Sequence, residues 1–413
     1  MRPKRRPVDR VPPSPVAVVR SGACATSPGR ARFPHAAPRP GGVPGPRPCY
    51  RRRMSLLVSA LACALLGATL LPLSRSHHWW VRMWDFPRVQ IALGQAAVLA
   101  LAFLLPAPLR WAVVVATAAG LALQLRRIWP FTPLARPEMR LAPPWEDAAG
   151  DGSEVTLLAA NVLLENPRHD LVRALVERHD PDVVLLMETD EAWVEGLRPA
   201  LARYPTVLAD TAVKYYGMVF ATRLAVERAG FAHLTPDETP TLVAELRTPA
   251  GRLFHFVGLH PQPPVPGVDT DERDAQVLYA ARFARRTDVP LIAMGDFNDA
   301  AWSHTSRLFK HYGRYLDPRA GRGLYASFHA TNPLIRCPID QLYVTEEVAV
   351  MSFRLGERTG SDHFPVVARV RIDPDLARRL NVPPPPMTDE EREEIERRVE
   401  EHRGRLGGAR GVT

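Results

Sequence analysis

Residues 290–299 read PLIAMGDFND, and residues 360–372 read GSDHFPVVARVRI. In each, an aliphatic run of strand length meets a short cluster of Gly, Asp, Asn, Ser or His. Such runs read as buried strands, and polar clusters at their ends mark where the chain leaves the core. The pattern recurs upstream, where EVTLLAANV reaches Asn161, PDVVLLME ends on Glu188 and RLFHFVGLH ends on His260. Neighbouring strand ends share one rim. Asn161, Glu188, His260, Asp296, Asn298, Asp362 and His363 are therefore expected to meet in one pocket, although about two hundred positions separate the first from the last.

Helical stretches lie between these strands: DLVRALVERH, EAWVEGLRPALARY, a helix from about Asp271 to Arg286 and a shorter one near Trp302 to Lys310. TLVAELR and RLFHFVGLH flank Thr248-Pro249-Ala250-Gly251, whose Pro and Gly suit a hairpin reversal. YGMVFATR, LYASFHA, IDQLYVT and HFPVVARVRI are further expected strands. Mixed strands with intervening helices imply two sheets packed face to face with helices outside.

This globular part, residues 153–372, holds 24 Lys/Arg against 28 Asp/Glu. The chain as a whole has 413 residues and a formal charge of +9, but residues 1–53 alone carry thirteen Lys/Arg and one acid, Asp9. The rest has 40 Lys/Arg against 43 Asp/Glu, which excludes a protein that coats nucleic acid through a basic folded surface. Cys24, Cys49, Cys63 and Cys337 lie far apart without C-x-x-C spacing, which excludes a zinc ribbon, an iron–sulfur site and a disulfide-built scaffold.

Residues 1–53 include twelve prolines and no periodic apolar pattern, so they read as a disordered tail, or as untranslated if the true start is Met54. Residues 54–128 read as a transmembrane region of about three helices: Met54–Leu73, Val89–Leu105 and Trp111–Leu125. Trp79, Trp80, Trp84, Trp111 and Trp129 fall near the ends of these runs, where indoles prefer the membrane interface. With the Arg-rich tail present, three crossings put the C-terminal domain outside; a start at Met54 favours the opposite arrangement. Residues 129–152 read as a Pro-rich linker, and residues 373–413 as a Pro-rich linker followed by a charged, solvated helix opened by the capping box Thr388–Glu391.

AANVL, LLMET, GLHPQPP, MGDFND, PIDQLYV and GSDHFPV, in that order from about Glu154 to Ile372, resemble the endonuclease/exonuclease/phosphatase superfamily with its deoxyribonuclease I-like fold. The resemblance implies an α+β architecture, a four-layer α/β sandwich of two packed mixed β-sheets with outer helices, here preceded by an N-terminal transmembrane helical region. It also implies a metal-dependent phosphoesterase. Glu188 would be the main ligand for Mg²⁺ or Mn²⁺, with Asn161 and Asp362 nearby; hard oxygen donors suit those ions. Asp296 would deprotonate the attacking water, held by Asn298. His363 would face the phosphate with Asp340 on its other ring nitrogen, and His260 would be a second phosphate-facing imidazole.

Ser361 lacks a G-x-S-x-G elbow, which argues against a serine hydrolase, and without a P-loop no nucleotide cofactor is expected. Lys214, Tyr215 and Tyr216 form a loop that either contacts substrate or is plain surface. RCPIDQL replaces the tryptophan-bearing stretch of inositol-phosphate phosphatases, which speaks against that subfamily. Expected partners are the lipid bilayer and a phosphoester substrate, either nucleic acid or phospholipid. The alternative reading is a catalytically inactive membrane scaffold or binding module on the same fold. Oligomeric state is not legible.

Overall fold

The structure is a computed structural model that describes residues 48–74, 76–144, 150–212, 214–234, 239–285 and 289–406. The tail expected over residues 1–53 lies outside the described residues except for its last six, which open a helix.

The N-terminal part is helical: α1 (Pro48–Leu70), the short α2 (Trp79–Arg82), α3 (Arg88–Ala102) and α4 (Ala107–Ile128). Two apolar segments, Arg51–Leu73 and Ala107–Phe131, are long enough to cross a membrane, whereas α3 has 15 residues, short of the ~20 that a ~30 Å core needs. Pro87 precedes α3 and Pro106 follows it, which limits its length.

The sandwich begins with β1 (Glu154–Asn161), α5 (His169–His179), β2 (Val183–Met187), α6 (Glu191–Leu201), β3 (Thr206–Asp210) and β4 (Met218–Thr222). It continues with β5 (Ala225–His233), β6 (Pro240–Arg247), β7 (Leu253–Leu259), α7 (Asp271–Arg285), β8 (Leu291–Asp296) and α8 (His304–Tyr312). The last elements are β9 (Asp340–Val344), β10 (Val348–Leu355), β11 (Val366–Ile372), α9 (Pro374–Leu380) and α10 (Asp389–Leu406). One sheet runs β10-β11-β1-β2-β4-β3 and the other β5-β6-β7-β8-β9. Both are mixed, since β1 and β2 pair in parallel, as do β7 and β8, within otherwise antiparallel sheets.

Leu157, Leu185, Phe220, Phe256, Ile292 and Leu342 fill the space between the sheets. On the outer faces, α5 and α6 cover the first sheet through Val172, Trp193 and Leu197, while α7 and α8 cover the second through Leu278 and Phe309. These are the four layers expected from the sequence. The expected hairpin is present between β6 and β7, closed by Gly251 N–H donating to Thr248 O at 2.8 Å.

Some segments differ from expectation. LYASFHA forms no continuous strand; only Phe328 bridges Cys337 and His363, because the segment crosses between the rims of the two sheets. Strands β3, β5 and β10 are not among the expected strands. β5 is an edge strand with Glu227 and Arg228 in it, so its pattern is broken by charge. The charged C-terminal helix, expected to be solvated, packs on α7 and α8: Ile395 is fully buried and Arg398 reaches Asp274 at 3.5 Å. Its capping box forms reciprocally, Glu391 N–H donating to Thr388 Oγ1 at 3.2 Å and Thr388 N–H to Glu391 Oε2 at 3.3 Å. Within residues 129–144, Met139 pairs with Asn381 and Ala142 N–H donates to Val350 O, so this stretch rests on the sandwich.

Gly295 sits at φ +144°, and a Cβ there would lie 2.1 Å from Leu259 O. Only glycine lets β8 pass β7 this closely and still deliver Asp296 to the rim. Gly295→Ala is expected to lower stability by about 1–3 kcal/mol and turnover with it, read by thermal unfolding and activity on the same preparation.

Candidate active site

Strand direction explains why the polar residues converge. Asn161 ends β1 and Glu188 follows β2, its parallel neighbour; His260 follows β7 and Asp296 ends β8, again a parallel pair. β9 runs antiparallel to β8 with Asp340 opposite Asp296, and β11 runs antiparallel to β1, so residues just before β11 return to the same rim. All eight expected site residues therefore lie on one edge of the sandwich.

At the centre, His363 Nδ1 and Asp340 Oδ2 are 2.7 Å apart, and His363 Nε2 lies 3.7 Å from Asp296 Oδ2. His260 Nε2 approaches the same Asp296 oxygen at 3.9 Å. Asn161 Nδ2 donates to Glu188 Oε1 at 2.7 Å and to Asp296 Oδ2 at 3.1 Å, tying the two carboxylates together. Asp362 is half-buried beside His363, with Ser361 Oγ 3.4 Å from its Oδ1.

Two roles differ from the sequence reading. The Asn161 amide oxygen accepts from Leu163 N–H at 3.1 Å, so it is the nitrogen that faces the carboxylates. Asn298 holds Asp296 through its backbone N–H, at 2.9 Å to Oδ1, while its side chain donates to Pro261 O. Tyr216 packs at 5.5 Å on the His260 ring, whereas Tyr215 is an exposed residue with Lys214 over its face.

The two imidazoles are driven apart in charge. Burial works against the His363 imidazolium, but Asp340 and Asp296 outweigh it and push its pKa up to about 10. Burial dominates at His260, lowering its pKa to about 4, and its Nδ1 has no hydrogen-bond partner among the described residues. At neutral pH one ring is a cation and the other is neutral, an arrangement that assigns separate roles to two chemically identical groups. Burial, followed by the Asp340 charge, raises the Asp296 carboxyl above the ordinary range, which makes it a better proton acceptor.

Several positioning residues were not legible in the sequence. Ser361 Oγ donates to Asn161 O at 2.8 Å and accepts from His363 N–H at 3.0 Å, so it is a brace rather than a nucleophile. Ser327 Oγ accepts from Asp340 N–H, and Phe328 packs 5.0 Å from the His363 ring. Arg273 Nη1 donates to Asn298 O at 2.9 Å from within a buried network with Asp274 and Asp299. Asp274→Ala would leave Arg273 short of its nearest carboxylate inside the protein. Removing one partner of a buried pair costs about 3–5 kcal/mol, so a large fall in unfolding temperature is expected by calorimetry.

The donor set suits a hard divalent cation. Glu188, Asp296, Asp340 and Asp362 outnumber the imidazoles, and oxygens or nitrogens of Asp296, Asp340 and His363 lie within 4.8 Å of one another. Burial and then the neighbouring Asp296 raise the Glu188 carboxyl, as expected of a carboxylate in want of a positive partner.

Residues 158–363 match the Endonuclease/Exonuclease/phosphatase family. The sandwich domain of this chain belongs to that family, whose members hydrolyse phosphoester bonds. No curated protein sequence matches the chain. Among solved structures it is similar to an endonuclease/exonuclease/phosphatase from Bacteroides vulgatus, with 21% identity over 53% of this chain and 99% of that one and a TM-score of 0.45. It is also similar to the human Nocturnin catalytic domain with bound sulfate, at 15% identity over 57% and 99% of the two chains and a TM-score of 0.44. A mannosyl-6-phosphatase from Bacteroides thetaiotaomicron shows 18% identity over 52% and 99%, with a TM-score of 0.42. These likenesses carry no assignment of substrate.

Proposed function

We propose that this chain is a membrane-anchored phosphodiesterase that requires Mg²⁺ or Mn²⁺. The observation that carries the catalytic part is the buried line Asp340–His363–Asp296, with Glu188 tied to Asp296 through Asn161. Two imidazoles shifted in opposite directions around one carboxylate favour a catalytic site over an inactive scaffold.

Asp296 takes the proton of the attacking water, its oxygens aimed by Asn298 N–H and Asn161 Nδ2. His363, held as an imidazolium by Asp340, presents Nε2–H to the phosphoryl group as charge develops there. Neutral His260 lines the same pocket without adding charge. Glu188 and Asp362 would hold the divalent cation, which when bound neutralises phosphoryl oxygens.

The membrane part rests on a helical bundle with an apolar exterior. Only 28% and 22% of the two apolar windows are buried, and Leu57, Leu93, Leu104 and Val115 are all more than 60% exposed. The bundle interior holds an apolar cluster with Val58, Ala62, Val98 and Val113 and, beside it, a polar one: Gln95 Nε2 and Gln124 Nε2 both donate to Thr69 Oγ1, and Arg88 donates to Gln124 Oε1. Apolar outside and hydrogen-bonded inside is the arrangement that lipid demands and water penalises. Thr69 and Gln124 lie near the C-terminal ends of α1 and α4, so these helices run parallel and α3 carries the chain back between them.

The bundle touches the loops that carry the site. Thr270 N–H donates to His77 O, Trp302 Nε1 to Asp85 O, and Gln90 Nε2 to Arg336 O. A pocket whose rim adjoins the bundle favours a phosphodiester presented at the membrane surface, a phospholipid head group, over long nucleic acid. The test is a panel of phospholipids, RNA and single- and double-stranded DNA offered to the purified full chain with Mg²⁺; preferential cleavage of nucleic acid would reverse this substrate reading.

If α3, despite its 15 residues, completes three crossings, the Arg-rich tail holds the N-terminus inside and the catalytic domain lies outside. A reporter fused after Thr413 is expected to be active only in the extracytoplasmic compartment, and a chain starting at Met54 should show the reverse. Equal reporter activity from both chains would contradict control of topology by the tail.

A further inference from the structure

A cavity of about 440 Å³ lies away from the catalytic residues, between the C-terminal ends of α1 and α4 and the face of α8. Leu73, Leu123 and Trp302 give it an apolar side, and Arg88, Arg126, Arg127, Arg307 and Lys310 give it a cationic one. Two acids line it, and both are engaged: Asp317 forms a two-pronged pair with Arg319, and Glu138 pairs with Lys310 and accepts from Asp317 N–H. Arg88 is spoken for by Asp85 at 2.6 Å. Arg126, Arg127 and Arg307 have no carboxylate within ion-pair distance among the described residues.

Arg126 is solvated, but Arg127 and Arg307 are half-buried. Arg88 is 2% exposed, and its Nε, like that of Arg307, is buried without a hydrogen-bond partner. Arg307 is shifted down from the ordinary arginine value, chiefly by burial; Glu391 and Asp85 oppose the shift, and Arg126 and Arg88 add to it. Unpaired cations held this close are costly unless an anion joins them.

Position specifies the anion. The cavity opens where two apolar segments of 23 and 25 residues end, and Trp129, 52% exposed, stands just beyond α4. On the membrane reading above, that level is the head-group layer, where phosphate meets acyl chain. A site with guanidiniums on one wall and leucines on the other matches that junction. We infer that this cavity binds the phosphate of an anionic phospholipid, separately from substrate, with Arg126, Arg127 and Arg307 as its ligands and Leu73 and Leu123 against the acyl chain.

The test is native mass spectrometry of the full chain in detergent, titrated with phosphatidylglycerol, with phosphatidylcholine or with inorganic phosphate. Phosphatidylglycerol is expected to bind, phosphatidylcholine to bind at least tenfold more weakly, and the Arg127→Gln/Arg307→Gln variant to lose about tenfold or more for phosphatidylglycerol. Turnover of a soluble aryl phosphodiester by that variant should stay near wild type, which separates failure here from failure of the catalytic reading. Should the double variant misfold, Arg126→Gln, at an exposed position, is expected to weaken phosphatidylglycerol binding in the same direction. Equal binding of phosphatidylglycerol by wild type and the folded variants would overturn the site. Inorganic phosphate binding as tightly as the lipid, and lost in the same variants, would overturn the lipid as its source.

Discussion

Asp296→Asn should lower turnover by about 10²–10⁴-fold while leaving the unfolding temperature near that of the wild type. The carboxylate sits at the centre of the site: Asn161 and Asn298 donate to it, and both imidazoles approach its Oδ2. Asparagine keeps the shape and can still accept from Asn298 N–H, so the fold has little reason to respond. It cannot take a proton. His363→Ala should cost a similar factor for a different reason, because it removes the imidazolium that the phosphoryl charge meets. Substantial residual activity in both variants, measured by steady-state kinetics beside calorimetry, would rule out this division of roles.

Glu188→Gln should raise the Mg²⁺ concentration for half-maximal activity by at least the ~10–100-fold that loss of a merely supporting group costs at a metal site. The side chain is nearly isosteric and keeps an oxygen for Asn161 Nδ2 to donate to, so position is preserved and charge is lost. Wild-type activity should vanish with EDTA and return with Mg²⁺ or Mn²⁺. No arginine or lysine donates a hydrogen bond to Glu188, Asp296 or Asp340 among the described residues, which leaves no side-chain cation but His363 to do the work of a metal. Wild-type metal dependence in Glu188→Gln would show that the ligand is elsewhere.

The site was legible in the sequence because its residues end apolar runs, and strand ends of a packed sandwich have only one rim to share. Asn161, Glu188, His260 and Asp296 are visible for that reason alone, and Asp340 and His363 become so once GSDHFPV and PIDQLYV are read together. What escaped was local geometry. Ser361 and Ser327 act through backbone groups brought close by the fold, and nothing in their immediate neighbours distinguishes a bracing hydroxyl from a solvated one. Phe328 lies in a segment whose alternation reads as strand but whose partners, Cys337 and His363, lie just ahead of β9 and β11 in two different sheets.

Charge patterning misled in one place and fell silent in another. Helix α10 is so rich in Glu and Arg that it reads as solvated, yet a few of those charges, Glu394 and Arg398, find buried partners around Ile395. The apolar runs near the N-terminus announce their hydrophobicity, but nothing in them sets Gln95, Thr69 and Gln124 apart. In the structure they form the bundle's hydrogen-bonded interior.

The most direct measurement is the initial rate of hydrolysis of a simple aryl phosphodiester by the purified full chain in detergent, with Mg²⁺ and with EDTA, beside Asp296→Asn. Turnover that depends on Mg²⁺ in the wild type and is lost in the variant is the predicted result. Hydrolysis that persists in EDTA and in Asp296→Asn, or a wild-type chain inactive on the aryl diester, phospholipids and nucleic acids alike, would contradict the account.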